Sequence, residues 1–165
     1  MVSDALVATA VAVVVTASLP FYLYGAWYIL EQAVVTWDVL VHHLKFIAVG
    51  LALTTIPVVT WMAPRFLDQI GGLSAVHVFL GLQAYAMLAV ALTGIVRIFQ
   101  VKRSHDLYER GPDERDEDVD IGDLHENMSA WRARLRMGVA GYVLFWLLAW
   151  LVGLLRYVNR YLLFG

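Results

Sequence analysis

Four runs of apolar residues, each long enough to cross a bilayer core, leave this chain few folds to choose from. They cover about 5–30, 39–62, 73–99 and 137–163. A helix needs about 20 residues to span the hydrocarbon region. Inside lipid each backbone polar group must be satisfied within the protein, and for a single run of this length that means helix. The 61% apolar content lies well above the roughly 45–50% of soluble domains. The expected fold is therefore all-α: a polytopic membrane protein, one domain over 1–165, with a bundle of four transmembrane helices. A secretory leader is the competing reading of the first run. It fails because no basic residue precedes the run, and the run outlasts a leader's apolar core. Within it, Pro20 is expected to kink the helix, and Tyr22, Tyr24, Trp27 and Tyr28 read as an interfacial aromatic belt.

The connections between the first three runs are short, so these helices should pack as antiparallel neighbours. The third connection, about 101–135, is long and strongly acidic: the stretch HDLYERGPDERDEDVDIGDLHE holds ten of the chain's fourteen carboxylates. Its apolar residues are too sparse to bury a core, which points to a solvated or partner-docking segment. Basic residues set the expected orientation. Lys45, Arg97, Lys102, Arg103, Arg110, Arg115, Arg132, Arg134 and Arg136 fall on the side of the acidic loop, against Arg65, Arg156 and Arg160 on the other. Nine against three makes the acidic loop cytoplasmic and puts both termini outside the cell membrane. Trp131 with Arg132, Arg134 and Arg136 reads as an anchor to anionic lipid headgroups, or as partners for the loop's own carboxylates. Two lysines against ten arginines, beside so acidic a segment, suggest a halophilic source. In molar salt the Debye length falls to about 3 Å, and dense carboxylates repel one another little.

Several chemistries are excluded by residue type. There is no cysteine, hence no disulfide, thiolate metal site or covalently attached haem. No phosphate-binding, zinc-protease or nucleophile-elbow motif is present, and nothing points to nucleic acid. All four carboxylates outside the acidic insert (Asp4, Glu31, Asp38 and Asp68) sit at run edges, which disfavours coupled ion transport. The ionisable residues within runs are His42, His43, Lys45, His77, Arg97 and Arg156. Lys45, Arg97 and Arg156 lie near run ends, where long side chains snorkel to the interface.

The histidines are the candidate cofactor ligands, because imidazole is an axial ligand of b-type haem. His43 is followed by Gly50 and Thr54 on one helical face, a small-residue surface open to a flat macrocycle, and His77 by Gly81 one turn on. His42 and His43 point about 100° apart and cannot both ligate one iron. His77 belongs to the opposite side of the membrane. Met137 and Met62 are further soft donors.

The stretches VHHLKFIAVGLAL, AVHVFLGLQAYAMLAVALTGIVRI and WRARLRMGVAGYVLFWLLAWLVGLLRYV resemble the last three spans of small four-helix membrane families. These are the cytochrome-b-like copper-resistance type and a family associated with haem–copper oxidase assembly. The resemblance covers about 39–158. It implies His42 or His43, with His77, as the matching histidines; where those families open the last span with histidine, this chain has Ala130, Trp131 and Arg132. Composition also resembles small polytopic proteins that halophilic archaea encode beside respiratory cytochromes. The expectation is an accessory or assembly subunit of a respiratory electron-transfer complex, without catalysis of its own, partnered by lipid and other cytochrome subunits. The alternative is a membrane cytochrome carrying haem b on His42 or His43 and His77.

Overall fold

The computed structural model describes residues 3–32, 35–65, 71–107 and 124–163. Four long helices carry the chain: α1 (Asp4–Glu31), α2 (Trp37–Pro57), α3 (Gly72–Ser104) and α4 (Met128–Val158). A π-helical turn (Val58–Met62) and a 3-10 turn (Ala63–Arg65) extend α2, and a second π-helical turn (Asn159–Leu163) extends α4. All four helical segments are long and apolar enough to cross a membrane.

Local chemistry fixes the starts. The Ser3 hydroxyl caps α1 by accepting from the Leu6 amide at 3.3 Å, and Thr36 caps α2 from the Val39 amide at 3.4 Å. Asp4 and Asp38 in the first turns suit the positive helix ends. Entry to α3 is through Gly71 and Gly72, the latter at φ +48°, a left-handed conformation that costs an L side chain about 1–2 kcal/mol. α1 runs unbroken through Pro20.

Two helix boundaries differ from the apolar runs. α3 continues past Phe99 to Ser104, and α4 begins at Met128, well before residue 137. The segment Trp131–Arg136 is thus the opening of a helix and no longer part of the loop. Hydropathy marks where lipid begins, whereas Ala and Arg favour helix well outside it. Contact with α3 reinforces the early start: a Cβ on Gly94 would lie 2.6 Å from the Trp131 carbonyl oxygen. Residues 108–123 of the acidic insert, and Asp68, lie outside the described residues.

The bundle is made of two tight pairs. α3 packs on α4 along its length and α1 on α2, while the pairs meet mainly where α1 touches α4; α2 and α3 make almost no main-chain contact. The α3–α4 seam is built of small residues: Ala84, Ala91 and Gly94 face Gly138 and Ala149, all buried. Gly138 lies directly against the Ala91 main chain, and Gly141 against the Met87 side chain. Large apolar side chains point outward, among them Leu23 at 68% and Leu30 at 81% exposure. The most apolar stretch of each helix is only 11–17% buried within the protein. Small residues inside and large ones outside is how helices pair in lipid, where apolar burial between helices gains nothing over lipid contact. The contacts of Trp37 with Phe99 (5.9 Å between ring centroids) and of Gly94 with Trp131 put the start of α2, the end of α3 and the start of α4 at one end of the bundle.

Replacing Gly138 by Val should lower stability in detergent by about 1–3 kcal/mol or prevent folding, as overpacking does. Gly81 has nothing within 4 Å of an added Cβ, so Gly81→Ala should be neutral or raise stability by up to about 1 kcal/mol. Thermal unfolding followed by circular dichroism checks both.

Candidate functional site

Each of the two histidines carried by α2 and α3 on a cross-helix bond is spent on main chain. His43 Nδ1 lies 2.7 Å from the Gly25 carbonyl of α1, and His77 Nδ1 lies 2.8 Å from the Ala149 carbonyl of α4. A carbonyl only accepts, so each Nδ1 is the donor and carries a proton. His77 reaches Ala149 because Gly153 leaves room: a Cβ there would meet His77 Cε1 at 2.8 Å. His42 packs instead on the Tyr28 ring at 4.2 Å and the Phe46 ring at 5.1 Å, with its Nε2 buried and without a protein partner among the described residues.

The structure does not bring the predicted ligands together. His43 docks at Gly25, whereas His77 borders a cavity that α1 lines from Ala8 to Val15. Gly25 lies about 15 Å further along α1 than Val15, at 1.5 Å per residue. Nor is the small-residue face beyond His43 open to a macrocycle. The Tyr22 ring fills it, within 2.8 Å of where a Gly50 Cβ would stand. A haem held between His42 or His43 and His77 does not fit these positions. Met137, the other soft donor on the loop side, is exposed, while Met62 lines the same cavity as His77.

Tyr22 is also where the belt expectation changes. Its hydroxyl lies 3.0 Å from Thr54 Oγ1 of α2 and 2.9 Å from the Tyr142 hydroxyl of α4, and Trp146 meets its ring edge-on at 5.7 Å. Thr55 and Tyr85, 2.9 Å apart, join α2 to α3. Trp150 Nε1 donates to Thr16 Oγ1 at 3.1 Å, and Thr9 meets the Tyr157 hydroxyl at 2.8 Å, both between α1 and α4. Hydroxyl and indole contacts thus tie the two pairs together, beside the main-chain contact of α1 with α4 and, through Thr55 and Tyr85, where α2 and α3 have almost none. Tyr24 and Trp27 do face outward, as a belt requires.

At the end of the bundle away from the acidic insert the pairs enclose a cavity of about 390 Å³. Its deeper wall is apolar, from Val11, Ala12 and Val15 of α1 and Val78 of α3; His77 and Trp150 also line it, and Arg65, Arg156 and Arg160 contribute charge. Both π-helical turns border it, through Trp61 and Met62 on one and Asn159 to Tyr161 on the other.

The family described as "Domain of unknown function (DUF7321)" matches residues 4–162. The chain belongs to that family. No curated protein and no solved structure matches it. In this DUF7321 chain, Arg132, Arg134 and Arg136 are exposed on the first turns of α4, in the position a headgroup anchor would take. Trp131 is half-buried, its ring 4.4 Å from that of His125. The carboxylates proposed as their alternative partners lie mostly in 108–123, outside the described residues.

The tyrosine–threonine contacts use hydroxyls, which do not stand out among the ionisable residues of the spans. Hydroxyls at mid-span are the signal that finds them. Tyr22→Phe and Tyr142→Phe should each destabilise by about 0.5–1.5 kcal/mol, and the double variant should cost less than their sum by about 0.6 kcal/mol. Equilibrium unfolding of the four proteins measures the coupling.

Proposed function

We propose that this protein is an integral membrane accessory or assembly subunit of a respiratory electron-transfer complex, with no catalysis of its own. One observation carries the structural half of this reading: His43 and His77, the best ligand candidates in the sequence, act as clamps between paired helices. A bis-histidine redox centre needs imidazoles that converge, and these hold separate pairs at separate depths. The large apolar and aromatic outer surface suits contact with lipid or with neighbouring spans. The respiratory half rests on the sequence resemblance to cytochrome-b-like copper-resistance and oxidase-assembly families.

On the same reading the protein sits in the cell membrane of a halophilic archaeon, with the acidic insert cytoplasmic and both termini outside. Supporting this, Lys45, Arg97, Lys102, Arg103, Arg132, Arg134 and Arg136 fall at the insert's end of the bundle, against Arg65, Arg156 and Arg160 at the other.

Mild-detergent purification from native membranes tests the proposal. Cytochrome subunits should accompany the tagged protein, and any reduced-minus-oxidised haem band should be lost when they are stripped away. Recovery of the chain alone with its own b-type band, abolished in His77→Ala, would replace this reading by the haem-carrying one, with Met62 as the other donor.

A further inference from the structure

The cavity between the two helix pairs is not accounted for by an accessory role, and its wall has a definite chemical character. At about 390 Å³ it falls in the range of small-molecule sites, about 300–1,000 Å³. Its polar and apolar parts are segregated. Ala8, Val11, Ala12 and Val15 follow one face of α1 into the membrane, opposite Val78 and Trp150. Arg65, Arg156, Asn159 and Arg160 gather where α2 and α4 end.

Charge and hydrogen-bonding capacity define the occupant. Among the described residues three guanidinium groups line the cavity and no carboxylate does; the nearest described acid, Asp4, stands 3.7 Å from Arg65, with both side chains solvent-accessible. Arg65 is further held over the Trp61 ring at 5.0 Å, and both residues line the cavity. Trp61 Nε1 is buried with no acceptor among the described residues, although a buried indole N–H ordinarily has one. Arginines match carboxylate and phosphate oxygens, and the indole supplies one more donor.

Local backbone geometry converges on the same place. π-helical turns are rare and frequent at functional sites when they interrupt a helix; the two here extend helix ends. Here Val58–Met62 and Asn159–Leu163 both border this cavity. α2 and α3 make almost no main-chain contact beside it.

We propose that this cavity binds a single-chain amphiphile with an anionic head, carboxylate or phosphate, its head held by Arg65, Arg156 and Arg160 and its tail along Val11, Ala12 and Val15. The site does not depend on the subunit reading, and its test leaves co-purification untouched.

Trp61 and Trp150 report occupancy. The purified chain in phosphatidylcholine nanodiscs is titrated with three tail-brominated probes of equal chain length: a fatty acid, a monoalkyl phosphate and a fatty alcohol. Bromine quenches only indoles in contact with it. The acid, the phosphate or both should quench saturably, with an apparent Kd at least tenfold below that of the alcohol, and the preferred anion identifies the head chemistry. The saturable component should disappear in Trp61→Phe/Trp150→Phe and weaken at least tenfold in Arg156→Gln/Arg160→Gln. Ala12→Phe, which fills the tail channel and leaves every arginine in place, should abolish it too. Equal quenching by alcohol and anions, or a saturable component unchanged in any one of these folded variants, overturns the proposal in favour of bulk partitioning.

Discussion

Gly138 places the main chain of α4 against the main chain of α3 at Ala91, with no room for a Cβ between them. Most of the bundle's form depends on that approach. Lipid competes on equal terms with apolar side chains, so helices gain by bringing backbone and small side chains into dense dispersion contact. Ala84, Ala91 and Gly94 opposite Gly138 and Ala149 provide such a surface over several turns. It also draws the arginine-bearing start of α4 into helix, since Gly94 admits the Trp131 carbonyl.

α1 and α2 make a second pair by a different device. Tyr22 lays its ring across Gly50 and sends its hydroxyl to Thr54 and Tyr142, so one side chain packs its own pair and reaches the other. Because the pairs are joined largely by side-chain reach, with main-chain contact confined mainly to α1 and α4, they leave space between them at the terminal end. The π-helical turns at the ends of α2 and α4 border that space with tryptophan, methionine and arginine. Cavity and seam are thus two results of one uneven distribution of small residues, dense along α3–α4 and sparse between α2 and α3.

The four spans were legible because length and hydropathy report directly on the bilayer. Their ends were less so: residues 128–136 carry three arginines and are helical, and charge hides a helix from a hydropathy reading. The histidines were visible as unusual residues, but their partners were not. Gly25 and Ala149 are carbonyls on other helices, and only Gly153, small where α4 must admit His77, left a trace in the sequence. Tyr22 misled because an aromatic late in a span reads equally as a belt or as an interior residue; Gly50 and Thr54 one turn apart on α2 were the clue. The cavity left no local signal, since its wall comes from four helices and from backbone turns that no residue pattern announces.

Cysteine cross-linking in membranes tests the two-pair arrangement most directly, in a chain with no cysteine of its own. A Cβ on Gly25 would stand 3.2 Å from the Phe46 Cβ, close to the 3.5–4.5 Å span of a disulfide. Gly25→Cys/Phe46→Cys should therefore oxidise readily to a bridge between α1 and α2. Thr55 and Tyr85 meet at the far end of the tyrosine ring, with their hydroxyls 2.9 Å apart. Thr55→Cys/Tyr85→Cys should then remain reduced under the same conditions. A rapid bridge in the second protein, or none in the first, would contradict the account, because α2 would then be paired with α3 and the space between the pairs would close.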